Sequence, residues 1–155
     1  MKVLIMGLSG SGKTFLSKLL QKELTCAWYN ADNLREMAND WDFSNEGRKR
    51  QSFRMRALAD FEKENGRLVI CDFICPTKEA RKIFDADYCI WMDTIKESNY
   101  KDTDKIFEEP DKFNLKISSW DQYSPSQVAS LIRDVWFKKT YSPSFREMAA
   151  MAWWS

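Results

Sequence analysis

The residues best suited to chemistry stand close to the amino terminus. Gly7-Leu8-Ser9-Gly10-Ser11-Gly12-Lys13-Thr14 has the spacing G-x-x-x-x-G-K-S/T. It directly follows the apolar run Lys2 to Met6 and precedes a stretch with helical apolar spacing at Phe15, Leu16, Leu19, Leu20 and Leu24. Glycines let such a loop fold so tightly that consecutive amides point at phosphate oxygens, and the helix that follows adds its positive end. Gly7, Ser9, Gly10, Ser11, Gly12, Lys13 and Thr14 are therefore read as a cradle for the phosphates of a nucleotide. Lys13 would reach the β and γ phosphates and the Thr14 hydroxyl would sit on Mg²⁺, so ATP and Mg²⁺ are the expected cofactors.

Three further groups have chemical potential. Leu68-Val69-Ile70-Cys71-Asp72 is an apolar run ending in a carboxylate, and the run that closes at Met92-Asp93 ends the same way. Either acid can support the cation through water. Tyr29-Asn30-Ala31-Asp32-Asn33-Leu34-Arg35 puts an acid and an arginine at the end of the second apolar run, the edge where open α/β sheets bind ligands. Asp32 there either takes the proton of an acceptor hydroxyl or caps a helix starting at Asn33, and one residue can do both. Arg50 and Arg54 lie four apart in the segment 45–64, on a face that continues through Ala57, Leu58 and Phe61. The expectation is that the apolar part packs on the sheet while the basic part meets an anion, or instead pairs with Glu46 and Asp60.

Composition narrows the classes. The 155 residues contain no histidine, which removes serine-histidine and cysteine-histidine nucleophile pairs and every imidazole zinc site. Cys26, Cys71, Cys75 and Cys89 include no C-x-x-C pair and are read as small hydrophobes in a reducing cytosol. A net charge of +1 lacks the basic field of a non-specific nucleic-acid binder. No run is apolar enough for a spanning helix or a signal peptide, so the expected location is cytoplasmic. The base-reading segments N-K-x-D and D-x-x-G of GTPases do not occur, which leaves a small phosphotransferase as the default.

The elements that must position these groups are short. Lys2 to Met6, Cys26 to Tyr29, Leu68 to Cys71, Tyr88 to Met92 and Asn114 to Ile117 read as five strands, separated by helical spacing. Such alternation predicts an α/β chain with the three-layer P-loop NTPase fold, a five-stranded parallel sheet with helices on both faces. Pro76 and Pro125 are expected in first helical turns, Pro125 after Ser124 as N-cap. The chain is expected to form one domain over 1–139. Its least regular stretch, 95–111, reads as a lid, and 140–155 as a tail helix with Phe145, Met148, Met151, Trp153 and Trp154 as its adhesive side. That tail either folds back on the domain or closes a homodimer.

Taken together, these segments resemble the adenylylsulfate kinase family, which transfers the ATP γ-phosphoryl group to the 3′-hydroxyl of adenosine 5′-phosphosulfate in sulfate assimilation. The family's G-L-S-G-x-G-K-S/T loop matches Gly7 to Thr14, and its D-G-D-N-L-R segment resembles Asn30 to Arg35. Asp42 to Arg54 is similar to G-F-S-x-x-D-R-x-x-N-x-x-R, Phe73-Ile74-Cys75-Pro76 to F-I-S-P, and Phe107 to Pro110 to Y-E-x-P. The resemblance implies that Asp32 and Lys13 are catalytic and that Thr14 and Asp72 serve the metal. It also implies that Arg35, Phe43, Arg48, Gln51, Arg54, Ile74 and Cys75 contact the acceptor, with Phe43 stacking its base and Arg48 on its anion. It further implies a third strand beside the first, which favours Asp72 over Asp93.

The sequence departs from the family at Asn30, Asp42, Gly47, Gln51 and Cys75. It also lacks the K-G-L-Y-K-K lid, for which Lys96, Lys101 and Lys105 supply some charge. A shorter lid opens the acceptor pocket to another nucleotide, a small metabolite or a polynucleotide end. A nucleotide-binding module without turnover, docking a partner through its aromatic tail, is the alternative of a different class.

Overall fold

The computed structural model of the chain describes residues 1–140, so of the tail expected over 140–155 all but Thr140 lies outside the described residues. The first run becomes β1 (Lys2–Gly7), which is followed by α1 (Lys13–Leu24), β2 (Ala27–Asn30), α2 (Ala31–Ala38) and α3 (Asn45–Glu64). Then come β3 (Val69–Asp72), α4 (Lys78–Phe84), β4 (Tyr88–Met92), α5 (Lys101–Ile106), β5 (Leu115–Ile117) and α6 (Pro125–Thr140). The five strands pair in parallel in the order β2-β3-β1-β4-β5. The expected fold class holds, and β3 does lie beside β1.

Alternation along β1 builds the two outer layers. Val3 and Ile5 face one side, where Leu16, Leu20 and Leu24 of α1 and Val128 and Ile132 of α6 close over them. Leu4 and Met6 face the other side, against Met55 and Ala59 of α3, Phe84 of α4 and Leu34 of α2. Both faces of β1 are buried, which is why its run is continuously apolar rather than alternating.

Local chemistry sets the helix ends, in places differently from the sequence reading. Asn30, not Asp32, caps α2, its side chain accepting from the Asn33 amide. Pro76 lies outside α4, whose cap is Thr77. Pro125 does open α6, and Ser124 and Gln127 exchange side-chain to backbone hydrogen bonds across its first turn. The lid stretch contains a helix, α5, that the sequence reading left irregular.

The apolar face assigned to α3 is also different. Gly47, Gln51, Met55 and Ala59, spaced by four, are buried, while Phe53 and Phe61 remain 53% and 60% exposed. Met55 and Ala59 pack on the sheet against Leu4 and Met6, Gln51 donates to the Ala31 carbonyl, and at Gly47 the 39–44 loop passes very close to the helix. A Cβ on Gly47 would stand 2.1 Å from the Asp42 carbonyl oxygen. Gly47→Ala should therefore force loop and helix apart and cost about 1–3 kcal/mol of unfolding free energy, read from the urea midpoint. An unshifted midpoint would contradict the close approach.

Candidate active site

The parallel register brings the chemistry to one edge of the sheet. Asn30 at the end of β2 is the direct neighbour of Asp72 at the end of β3, and Asp72 in turn neighbours Ile5 of β1. The phosphate loop leaves β1 just beyond. Gly7, Gly10 and Gly12 have φ of 150, 84 and 101°, and the left-handed values at Gly10 and Gly12 are conformations a Cβ would strain. Space excludes a side chain as well: a Cβ on Gly7 would be 2.5 Å from the Met92 carbonyl oxygen, and one on Gly12 would be 2.2 Å from the Trp120 ring.

Within this loop the Lys13 ammonium donates to the Leu8 carbonyl at 2.9 Å. Burial lowers its pKa from 10.5 to about 8, against the opposing charges of Asp72 and Asp32. Ser11 is fully buried and its hydroxyl has no hydrogen-bond partner. Its carbonyl accepts from the Thr94 hydroxyl at 2.8 Å, which ties the start of the lid stretch to the loop.

Asp72 is 1% exposed. Its Oδ1 accepts from Trp28 Nε1 at 3.2 Å and from Asn30 Nδ2 at 2.9 Å, and Asn30 Nδ2 also reaches Thr14 Oγ1 at 3.2 Å. Its Oδ2 has no partner. Burial pushes this carboxyl's pKa up, while the donors from Trp28, Asn30 and Thr14 pull the other way. A buried carboxylate oxygen left open beside a threonine hydroxyl is a hard oxygen pair that fits Mg²⁺. Asp93, the rival acid, is instead engaged by Lys96 at 3.0 Å and Lys116 at 3.4 Å.

A cleft of about 1690 Å³ opens over this edge. Ser9, Gly10, Gly12, Lys13, Thr14 and Asp72 line one side of it, while Gly7 and Ser11 are buried and do not line it. Asp32 lines the cleft from the first turn of α2 and is exposed. Arg35, Phe43, Arg48, Gln51, Ile74 and Cys75 line it too. Phe43 is half-exposed, with the Arg35 guanidinium 4.4 Å and the Arg48 guanidinium 5.7 Å from its ring centre. Arg35 also donates to the Asp40 and Asp42 carbonyls, so it builds the 40–43 loop as well as facing the cleft.

Arg54 is the exception. It does not line the cleft: it pairs with Asp40 at 2.8 Å and donates to the Gln51 side chain, while Gln51 donates to the Ala31 carbonyl at 2.9 Å. Arg50 likewise pairs with Asp40 at 2.7 Å and Asp42 at 3.2 Å, so the overhanging basic face is folded back onto two carboxylates other than Glu46 and Asp60. Those two arginines hold the Asp40 carboxyl well below the usual carboxylate range. The sequence reading missed Trp28, Asn30 and Thr94, and also the exposed aromatics Trp41, Tyr100 and Trp120 that line the cleft. Asn30 carried a signal, since it stands at a strand end beside the acid. A turn tryptophan such as Trp120 carried none.

The model for adenylylsulphate kinase matches residues 1–90. An adenylyl-sulfate kinase of Bacillus licheniformis is 40% identical over 81 residues, 48% of this chain and 41% of that protein. The match thus spans about two fifths of the length of the curated relative. In structure, a Mycobacterium tuberculosis APS kinase in complex with AMPPNP and APS superposes with a TM-score of 0.67 at 23% identity, over 86% of this chain and 95% of that one. A variant of the same kinase gives 0.64 at 26% identity, over 86% and 94%.

An amine-selective reagent should label Lys13 with a midpoint near pH 8, against the ordinary 10.5. Pyrophosphate should raise that midpoint, because an anion favours the charged ammonium. A midpoint at the ordinary lysine value, unmoved by pyrophosphate, would contradict the loop geometry.

Proposed function

Since the chain belongs to the adenylylsulphate kinase family, we propose that it transfers the γ-phosphoryl group of ATP to the 3′-hydroxyl of adenosine 5′-phosphosulfate. The observation that carries this reading is the open Oδ2 of Asp72 beside Thr14 and Lys13, at the foot of a cleft that Asp32 also lines. Among the described residues no cluster of three acidic, cysteine or histidine side chains could hold a metal alone. A cation here draws its other oxygens from phosphates and water.

In this mechanism the loop amides and Lys13 hold the polyphosphate, Lys13 exchanging the Leu8 carbonyl for phosphate oxygen. Thr14 and Asp72 would hold Mg²⁺, which neutralises charge on the phosphates when bound. The acceptor oxygen bonds to the γ phosphorus, the bond from that phosphorus to the β–γ bridging oxygen breaks, and ADP leaves. The hydroxyl proton passes to the Asp32 carboxylate. Arg48 and Phe43 face the acceptor's anion and base, and the Arg35 guanidinium steadies Phe43 by its contact with the ring. No helix among the described residues is long and apolar enough to cross a membrane.

Transfer from γ-labelled ATP tests the assignment, with adenosine 5′-phosphosulfate as first acceptor and nucleosides, small hydroxyl metabolites and oligonucleotides as further arms. Lys13→Ala should abolish transfer with the fold intact by circular dichroism. Asp32→Asn should lower kcat by about 10²–10⁴-fold with ATP affinity unchanged. Transfer only to another arm would replace the acceptor, and full activity of either variant would refute its role. A fall in ATP affinity on Asp32→Asn would instead assign Asp32 to the metal.

A further inference from the structure

Asn30 stands where the resembling segment has an acid, and its side chain holds three partners at once. Oδ1 accepts from the Asn33 amide at 3.0 Å, which fixes the orientation of the group because a backbone N–H must meet an oxygen. Nδ2 therefore points the other way, to Asp72 Oδ1 at 2.9 Å and Thr14 Oγ1 at 3.2 Å. Those two acceptors come from different elements, the end of β3 and the first turn of α1. With Trp28 Nε1 also on Asp72 Oδ1, both the indole and the amide donor fall on one oxygen, and the other has no hydrogen-bond partner.

We infer that Asn30 is the positioning residue of the cation site, a neutral bridge that sets Asp72 Oδ2 and the Thr14 hydroxyl for one divalent cation while adding no charge of its own. The inference rests on the nucleotide reading above and deepens it. Removing the Nδ2 donors frees the Asp72 carboxylate to turn and releases Thr14. Replacing the amide by a carboxylate keeps the helix cap but raises the acidic residues at the site from one to two, which attracts a cation before any phosphate arrives.

Mn²⁺, a paramagnetic substitute for Mg²⁺, gives the test: the electron paramagnetic resonance signal of the free ion is titrated with the full chain, with and without ADP. Wild type should take up Mn²⁺ with ADP and only weakly alone. Asn30→Ser keeps a good N-cap but is too short to bridge, and should lose about tenfold or more in Mn²⁺ affinity with ADP. Its metal-free ADP affinity, measured in EDTA, should be unchanged, a pattern a merely structural role would not produce. Asn30→Asp should gain about tenfold or more for Mn²⁺ alone. Wild-type Mn²⁺ uptake by Asn30→Ser overturns the bridge, and no gain by Asn30→Asp overturns the role of neutrality. Should the serine variant fail to fold, the aspartate variant decides. A wild type that binds ADP but no Mn²⁺ overturns the cation site, and one that binds neither removes the nucleotide reading itself.

Discussion

A carboxylate buried with one oxygen unpaired is costly to hold, and the sheet edge of this protein is organised around one. Asp72 is tolerated there because β3 lies between β1 and β2, so that its hydrogen-bond donors arrive from the neighbouring strand in register. Trp28 and Asn30 are two apart on β2, hence on one face, and both reach the same oxygen. On the other flank α1 begins with Lys13 and Thr14, whose charge and hydroxyl favour the ionised acid. Lys13 and Asp72 partly compensate one another: each is disfavoured by burial, and each draws the other toward its charged form.

The loop between α2 and α3 is ordered by a different means. Residues 39–44 carry no helix or strand, and guanidinium groups do the work that backbone ladders do elsewhere. Arg35 takes two carbonyls of this loop, Arg48 takes a third at Phe43, and Arg50 and Arg54 close on the Asp40 carboxylate. The loop can approach α3 so closely only because residue 47 has no side chain. Four arginines in one neighbourhood thus divide between structure and cleft, with Arg35 and Arg48 reaching the cleft and Arg50 and Arg54 entirely on the structural side.

Much of this was legible in the sequence, for reasons that can be named. Buried parallel strands must be continuously apolar, which makes β1, β3 and β4 plain, while the half-exposed β2 and the short β5 show as weaker runs, and all five lie within a residue of their observed bounds. The phosphate loop is legible because its backbone conformation demands glycine at set positions. What escaped depends on packing at a distance. The inner face of α3 runs through Gly47, Gln51, Met55 and Ala59, where a close loop and a backbone carbonyl meet its first half, so Phe61 was placed on the wrong side. The basic pair Arg50 and Arg54 was assigned to an anion or to acids on its own helix, whereas its partner is Asp40, ten and fourteen residues back in a loop. Trp120 meets Gly12 across more than a hundred residues, and no local pattern announces such an encounter.

The segment between β4 and β5 is fastened near both ends. Thr94 is hooked to the phosphate loop through the Ser11 carbonyl, and Glu108 is laced to the F-I-C-P turn through the Pro76 carbonyl and Arg81. A strip anchored twice cannot swing like a door hung on one side. Between those two ends α5 is stitched down a third time, by Arg48 of α3 to the buried Thr103, so the strip is a brace laid across the mouth of the cleft rather than a flap over it.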